Sequence, residues 1–179
     1  MTPHHRESVL DIFVRIQEAN GGAYPSKKIL EESQYPPGRP GIQCWFDRDR
    51  GNQHFVFLRN EDDAVAGHIE IQPLSEHQLL GKNLFYWEKA FPKQSKSHTL
   101  TDLMVLKRFA VDPVWQGQDI GRQLLRHAIH KIENIPGKRP ALVVLNVLQP
   151  AQRLYKSEGG QVAGKFNEVM GELIVSYIF

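Results

Sequence analysis

Apolar residues near the start of the chain first follow a helical period and then the alternation that is typical of strands. Residues 8–18, SVLDIFVRIQE, predict an amphipathic helix capped by Ser8. Its apolar stripe consists of Val9, Ile12, Phe13 and Ile16. Residues 54–60 and 64–73, HFVFLRN and AVAGHIEIQP, flank the polar sequence NEDD and therefore predict a β-hairpin.

The second half of the chain alternates strands and helices. Residues 103–111, LMVLKRFAV, and 141–147, ALVVLNV, are apolar enough to be strands buried on both faces. The apolar stripe of the helix between them is Ile120, Leu124, Leu125, Ala128, Ile129 and Ile132. A second helix begins near Pro150 and ends at Gly159, and a hairpin follows it. This order predicts a mixed α/β sheet in which 103–147 forms a parallel, right-handed crossover.

Two segments have a weaker pattern. Residues 26–33 predict a short helix, and a proline-rich loop, YPPGRPG, follows over 35–41. Residues 74–100 contain one helical stretch, LLGKNLFYWEKAF, inside what is expected to be an insertion. Such an excursion is either a binding loop or lid on the acceptor side, or a solvated connection or dimer contact. The chain as a whole, 1–179, is expected to form a single domain.

Composition and charge exclude several classes of protein. The 179 residues are 41% hydrophobic and 23% charged, which is ordinary for a folded globular protein. A net charge of +2 gives no support for a nucleic-acid partner, and no apolar run is long enough to span a membrane. The single cysteine, Cys44, and a first segment without a signal-peptide pattern indicate a cytoplasmic protein. His127 and His130 lack further ligands in sequence, so no metal site is expected.

The sequence VDPVWQGQDIGRQLL, residues 111–125, joins a strand directly to the start of a helix. Such a junction directs unpaired N–H groups and the positive end of the helix dipole at one place, which favours an anion. Gly117 and Gly121 permit close approach of the backbone. The side chains that can donate hydrogen bonds there are Gln116, Gln118 and Arg122. An ordinary strand–helix turn is the alternative, because the spacing matches neither common glycine-rich nucleotide motif.

This stretch resembles the acetyl-coenzyme A loop of the GNAT acetyltransferase superfamily. The family pattern is an arginine or glutamine, two residues, a glycine, one residue, and then glycine or alanine. Gln116, Asp119 and Gly121 occupy these positions. The second half of the family pattern is similar too, because Asn146 ends a strand and AQRLYKSEGG then provides a leucine–tyrosine pair before glycine. The resemblance covers residues 103–165.

The resemblance implies an α/β, GNAT-like acyl-CoA transferase fold. Its sheet is mostly antiparallel, with a central parallel strand pair that splays apart and helices on both faces. Acetyl-CoA is implied as a co-substrate, and no metal is required. The residues implied to bind it are Phe109, Ala110, Val111, Gln116, Gly117, Gln118, Asp119, Ile120, Gly121, Arg122, Asn146 and Tyr155.

Asp119 departs from the family pattern, which has glycine at this position. Aspartate tolerates positive φ better than most residues, so the backbone turn is still expected. Its negative charge is unfavourable beside a pyrophosphate. The carboxylate is therefore expected to point into solvent or to be offset by Arg122 or another base.

The chemistry requires an uncharged amine, a donor for the developing oxyanion and a proton for the departing thiolate. Tyr155 matches the proton donor of the family; packing of its ring in the core is the alternative. Main-chain N–H groups near Ala110 and Val111 are expected to serve the oxyanion. His68 and Glu70, beside the small Gly67 of one strand, are the candidate bases, unless this face is solvent-exposed or packs polar groups.

The sequence therefore predicts an N-acetyltransferase that moves an acetyl group from acetyl-CoA to a primary amine by direct attack in a ternary complex. The acceptor is a small molecule or a peptide, the chain is an enzyme, and a homodimer is the assembly considered. The alternative is a catalytically weak CoA-binding sensor or regulatory module of the same fold, which the charge of Asp119 and the unassigned base would explain. Neither nucleic acid nor a membrane is an expected partner.

Overall fold

The computed structural model describes residues 3–19, 53–59, 64–74, 79, 82–167 and 173–179. The helix predicted over 26–33, the loop over 35–41 and the hairpin turn NEDD lie outside the described residues. The helices and strands are α1 (Pro3–Ala19), β1 (Gln53–Leu58), β2 (Val65–Pro73), α2 (Lys82–Ala90), α3 (Pro92–Lys96), β3 (Leu103–Val111), α4 (Ile120–Glu133), β4 (Arg139–Leu145), α5 (Gln149–Ser157), β5 (Gln161–Asn167) and β6 (Leu173–Ile178). Single 3₁₀ turns precede and follow β3, at Leu100–Asp102 and Pro113–Trp115.

The strands form a six-stranded mixed sheet in the order β1-β2-β3-β4-β6-β5. The central pair is parallel, with Leu103 opposite Arg139 and Leu106 opposite Leu142. The pairs β4–β6 and β5–β6 are antiparallel. The predicted mixed α/β class and the parallel 103–147 crossover are confirmed. The chain forms two compact units. The first comprises Met1–Glu70 and Arg108–Leu125, and the second comprises Ile71–Lys107 and Arg126–Phe179.

In the first unit, α1 packs its predicted stripe against the hairpin strands. The core members are Val9, Leu10, Ile12, Phe13, Ile16, Val65 and Ala110, with Val56 and Leu58 beside them. The helix begins at Pro3, so the predicted cap at Ser8 is wrong. Proline's fixed φ suits the first position of a helix, where its missing N–H would have no intrahelical partner. No helix among the described residues is long and apolar enough to cross a membrane.

In the second unit, the segment 74–100 supplies part of a core. The helical stretch is confirmed as α2, and its apolar residues are buried together with residues of β3, β4 and β6. The buried members are Leu74, Trp87, Ala90, Phe91, Leu100, Leu103, Val105, Ala141 and Ile178. The alternative of a solvated connection is therefore wrong for this helical part. A role on the acceptor side, and the single domain over 1–179, stay predictions.

Candidate active site

The loop that joins β3 to α4 has the backbone geometry of a tight, open turn. Gly117 has φ 81° and Asp119 has φ 66°, and a Cβ on Gly117 would meet no atom within 4 Å. The Asp119 carbonyl accepts the first hydrogen bond of α4, from the Gln123 N–H at 3.0 Å. The N–H groups of the three preceding residues, Ile120, Gly121 and Arg122, lie in the first turn, where N–H groups point out of the amino terminus of the helix. The loop therefore presents main-chain donors at the positive end of a 14-residue helix.

The charge of Asp119 is offset within the loop. Arg122 Nη1 donates to Asp119 Oδ1 at 2.9 Å, and both side chains are about half exposed. The prediction that Arg122 offsets this carboxylate is confirmed. Because two opposite unit charges this close nearly cancel at a distance, the main-chain donors and the helix dipole determine the local field.

Three contacts fix the start of this loop. The buried Asp112 carboxylate accepts from the Val114 N–H at 3.1 Å and from Arg15 Nη2 at 2.6 Å, which ties the loop to α1. The Arg59 guanidinium lies 4.1 Å from the centre of the Trp115 indole, a cation–π contact. These contacts hold the loop in place before any ligand is present.

Gln116, predicted as a donor to phosphate, donates within the protein instead. Its Nε2 donates to the Val111 carbonyl oxygen at 3.0 Å, which closes the loop back onto the end of β3. An amide group carries two N–H bonds, so a second donor remains for a ligand. Gln118 is exposed on the loop. The structure thus gives Gln116 a positioning contact that the sequence pattern did not predict.

Strand β3 directs alternate main-chain groups to opposite edges. The Asp112 N–H donates to the Ala66 carbonyl oxygen of β2 at 3.0 Å, so Asp112 and, two residues earlier, Ala110 face β2. A Cβ on Gly67 would lie 3.2 Å from the Ala110 carbonyl oxygen, which agrees with this orientation. Phe109 and Val111 therefore present their N–H groups at the other edge. The Ala110 N–H therefore points towards β2 and the Val111 N–H points away from it, and the role of either group with the oxyanion stays a prediction.

Gly67 does not leave room beside the candidate bases. A Cβ on it would lie 2.8 Å from Leu124 Cδ1 and 3.2 Å from Ile120 Cγ2, so α4 fills the space. Successive residues of a strand face opposite sides, so this space is on the other face from His68 and Glu70. The glycine allows α4 to pack closely on β2.

The candidate bases His68 and Glu70 are buried and already engaged. Arg108 Nη1 donates to Glu70 Oε2 at 2.7 Å, and His68 Nδ1 donates to the Arg108 carbonyl oxygen at 2.8 Å. Both side chains are inaccessible to solvent, so the alternative of a solvent-exposed face is wrong, and the polar-packing alternative describes these contacts. Arg108 has φ 45°, a strained conformation for a side chain of its size. The three side chains thus hold an irregularity in β3 immediately before Phe109.

Tyr155 lies on α5, in the second unit, with its ring buried. Its ring meets the Tyr177 ring edge-on, with centroids 5.7 Å apart. The Tyr177 hydroxyl donates to Gln152 Oε1 at 3.0 Å, and Gln152 Nε2 donates to the Asn146 carbonyl oxygen at 2.7 Å. Burial raises the pKa of Tyr177 above its ordinary value of about 10. Gln152 therefore links the end of β4 to the tyrosine pair on α5 and β6.

Comparison with models of known protein families identifies the family of this chain. The profile of the Acetyltransferase (GNAT) family matches residues 13–159, which includes both the 116–122 loop and Tyr155. The chain belongs to the GNAT acetyltransferase family. A search of curated protein sequences finds no match.

Solved GNAT structures share the fold. A ribosomal-protein-alanine N-acetyltransferase from Brucella melitensis is similar at TM-score 0.66 and 15% identity, covering 100% of this chain and 96% of that one. A GNAT acetyltransferase from Staphylococcus aureus gives TM-score 0.63 and 14% identity, covering 99% and 95%. Arabidopsis thaliana NAA60 in complex with acetyl-CoA gives 0.61 and 12%, covering 100% and 94%. At such identities the likeness establishes the fold alone.

Three residues of this GNAT chain contact the candidate groups or their neighbours without a clear signal in the sequence. Arg108 was hidden inside an apolar strand, and the one available signal was a charged residue in LMVLKRFAV. His54 was assigned only to a strand, although it joins the His68 cluster. Gln152 lies three residues before Tyr155 and gave no signal, since its role depends on Tyr177, distant in sequence.

Proposed function

We propose that the chain transfers an acetyl group from acetyl-CoA to a primary amine of a small molecule or peptide. The amine attacks the thioester directly in a ternary complex. The observation that carries this proposal is the loop geometry in a member of the GNAT family: positive φ at Gly117 and Asp119, with Arg122 offsetting the carboxylate. Without that ion pair, the carboxylate would repel a pyrophosphate oxygen. For two unit charges about 4 Å apart near the surface, the repulsion is about 4 kcal/mol.

The residues of the loop fit the anionic part of acetyl-CoA. The N–H groups of Ile120, Gly121 and Arg122 at the start of α4 would hold the pyrophosphate, and Gly117 leaves the backbone open to it. Gln116 and Gln118 would add side-chain donors. Phe109 and Val111 would offer main-chain groups to the pantetheine arm, and Asn146 belongs to the same predicted set.

Each chemical step has a candidate group in this chain. The N–H of Val111 would stabilise the oxyanion as the amine adds to the carbonyl carbon. Tyr155 would donate its hydroxyl proton to the departing thiolate, with its ring held by Tyr177. His68 and Glu70 are the candidate bases, and because both are buried, the proton of the amine would have to reach them through a neighbouring group.

The names of similar structures suggest which acceptors to test first. Two structural neighbours are ribosomal-protein-alanine N-acetyltransferases, from Escherichia coli and Brucella melitensis. A second structure of Arabidopsis thaliana NAA60 contains a bisubstrate analogue. Peptides with a free amino-terminal alanine therefore belong in the acceptor panel beside small primary amines and free lysine.

The test combines binding and turnover. Acetyl-CoA is titrated calorimetrically, and release of the CoA thiol is followed with each acceptor of the panel. The proposal predicts saturable binding and thiol release that depends on one class of amine. Binding without thiol release for every acceptor would instead support the sensor alternative.

A further inference from the structure

Gln152 on α5 is a buried side chain whose amide is engaged at both ends. Its Nε2 donates to the Asn146 carbonyl oxygen at 2.7 Å, and its Oε1 accepts from the Tyr177 hydroxyl at 3.0 Å. A carbonyl oxygen can only accept, so the amide nitrogen faces Asn146 and the amide oxygen faces Tyr177. The end of β4 therefore determines which way Gln152 presents its acceptor to the Tyr177 hydroxyl.

The Tyr177 ring passes this constraint on to Tyr155. Tyr177 is fully buried, and its ring meets the Tyr155 ring at 61° with centroids 5.7 Å apart. A buried ring that is held at its hydroxyl resists displacement, because any shift would stretch the hydrogen bond to Gln152. In a close-packed interior, the ring that lies against it has its own position limited in the same way.

The main chain of Tyr155 is held separately, by the end of α5. The Tyr155 carbonyl oxygen accepts from the Gly160 N–H at 2.9 Å and from the Glu158 N–H at 3.2 Å. A Cβ on Gly160 would lie 2.8 Å from this oxygen, so the close approach requires glycine. With the main chain fixed, the place of the Tyr155 hydroxyl depends on rotation of its side chain against the Tyr177 ring.

A second glutamine separates the two ends of the Gln152 amide. Gln149, which is exposed at the start of α5, also donates through its Nε2 to the Asn146 carbonyl oxygen. This carbonyl therefore keeps a donor when Gln152 is replaced, whereas the Tyr177 hydroxyl loses its acceptor. The consequences of changing Gln152 are thus expected on the tyrosine side.

We propose that Gln152 is a positioning residue of the transfer reaction, which holds the Tyr177 hydroxyl and thereby sets the hydroxyl of Tyr155. This inference rests on the proposed function. As the carbon–sulfur bond breaks, its electron pair goes to sulfur, and the Tyr155 O–H bond breaks to give the sulfur a proton. The phenolate regains a proton from the one that the amine nitrogen loses. Gln152 itself exchanges no proton.

The variant Gln152→Met tests this role, because it keeps the length of the side chain and removes both polar ends. We expect kcat to fall about tenfold, since a displaced proton donor assists the transition state less. The same change in a Tyr155→Phe background should leave kcat unchanged, because the hydroxyl to be positioned is absent. Tm should fall equally in both backgrounds. A merely structural role would lower kcat in both.

A second variant and a control accompany this cycle. Tyr177→Phe keeps the ring and breaks the bond to Gln152, so it should lower kcat in the parent and not in the Tyr155→Phe background. It provides the same test where Gln152→Met does not fold. Gln149→Met is the matched control: it removes a bond to the same Asn146 carbonyl without touching either tyrosine, and it should keep the parental kcat.

The outcomes are distinguishable. A fall in kcat that is confined to chains with Tyr155 supports the inference. Parental kcat in folded Gln152→Met and Tyr177→Phe, or an equal fall in both backgrounds, overturns it and leaves the proposed function standing. Parental turnover in Tyr155→Phe alone overturns it as well, since Tyr155 is then not the proton donor. A wild-type chain that transfers acetyl to no amine in the panel removes the proposed function and the inference together.

Discussion

At the scale of single residues, Asp119 determines whether the loop proposed to bind acetyl-CoA can keep its backbone turn and its favourable charge. Asp119 stands where the family has glycine, and it keeps both requirements of the position. Its backbone adopts φ 66°, which aspartate tolerates, and its carboxylate is paired with Arg122 three residues later on the first turn of α4. Aspartate at this position is therefore compatible with the turn and with the phosphate binding that we propose for the loop.

Variants at Asp119 separate the backbone requirement from the charge requirement. Asp119→Gly should leave stability nearly unchanged and bind acetyl-CoA as well as or better than the parent. Asp119→Ala should lose about 1–2 kcal/mol of unfolding free energy, because a Cβ without a local hydrogen bond is disfavoured at positive φ. Arg122→Gln should weaken acetyl-CoA binding about tenfold in the parent and less in the Asp119→Gly background, since no charge is left to offset.

Calorimetric titration and urea unfolding of these variants provide the measurements. Clear loss of acetyl-CoA affinity in Asp119→Gly, with unchanged stability, would show that the carboxylate has a positive role in binding.

A variant at Tyr155 tests whether its hydroxyl donates a proton to the leaving thiolate. Tyr155→Phe keeps the ring that packs on Tyr177 and removes the hydroxyl. We expect kcat and kcat/KM to fall together by about 10²- to 10⁴-fold, because a lost proton donor acts on the transition state. Acetyl-CoA affinity and Tm should stay near the parental values. Turnover at the parental rate would make Tyr155 a packing residue.

At the scale of elements, periodicity predicted most of the described fold. Strand β3 was predicted at its observed bounds, and the stripe of α4 is buried except at Ile129, which is partly exposed. These elements are amphipathic or uniformly apolar, so their hydrophobic pattern predicts which residues are buried. No local pattern predicts the irregularity at Arg108, because it depends on Glu70 and His68 from another strand.

The segment 74–100 shows the limit of this approach. Its hydrophobic pattern was too weak to distinguish a lid from a core element. Only part of the α2 surface is buried, so few of its positions need to be apolar. Phe91 and Trp87 stack in the core of the second unit, and Ser176 Oγ donates to the Ala90 carbonyl oxygen. Gly164 also approaches this carbonyl, since a Cβ there would be 2.7 Å from its oxygen. Contacts with β5 and β6, far along the chain, determine the position of α2.

Two phenylalanines of this segment provide a matched pair. Phe91 is 0% exposed and Phe85 is 60% exposed. Phe91→Ala should cost about 3–5 kcal/mol of unfolding free energy because it leaves a cavity, whereas Phe85→Ala should cost about 0.5 kcal/mol. Urea unfolding measures both. Equal, small losses would mean that this segment is not part of a core.

At the scale of the whole molecule, burial of Tyr177 makes stability depend on pH in the alkaline range. Its pKa is raised in the folded chain, so the unfolded chain loses this proton at a lower pH, near 10. The contribution to stability is complete below about pH 10 and is lost as the pH rises towards the raised folded-state pKa.

Tyr177→Phe should therefore flatten the alkaline loss of stability. At about pH 8 the variant should be less stable by about 1–3 kcal/mol, because Gln152 Oε1 loses its donor. Between about pH 10 and pH 11 its unfolding free energy should fall less steeply than that of the parent. Urea unfolding across this range is the measurement, and identical slopes would contradict the assignment.

Direct transfer of the acetyl group from acetyl-CoA to the acceptor amine distinguishes the proposed enzyme from a CoA-binding module. Acetyl-CoA that carries a ¹³C-labelled acetyl group is mixed with the wild-type chain and an acceptor identified in the panel. The masses of the acceptor, the CoA and the protein are then measured by mass spectrometry during the first turnovers. We expect labelled acetyl on the acceptor, an equal amount of free CoA, and an unchanged mass of the protein throughout. Labelled acetyl on the protein before it reaches the acceptor, or CoA release without any acetylated amine, would contradict it.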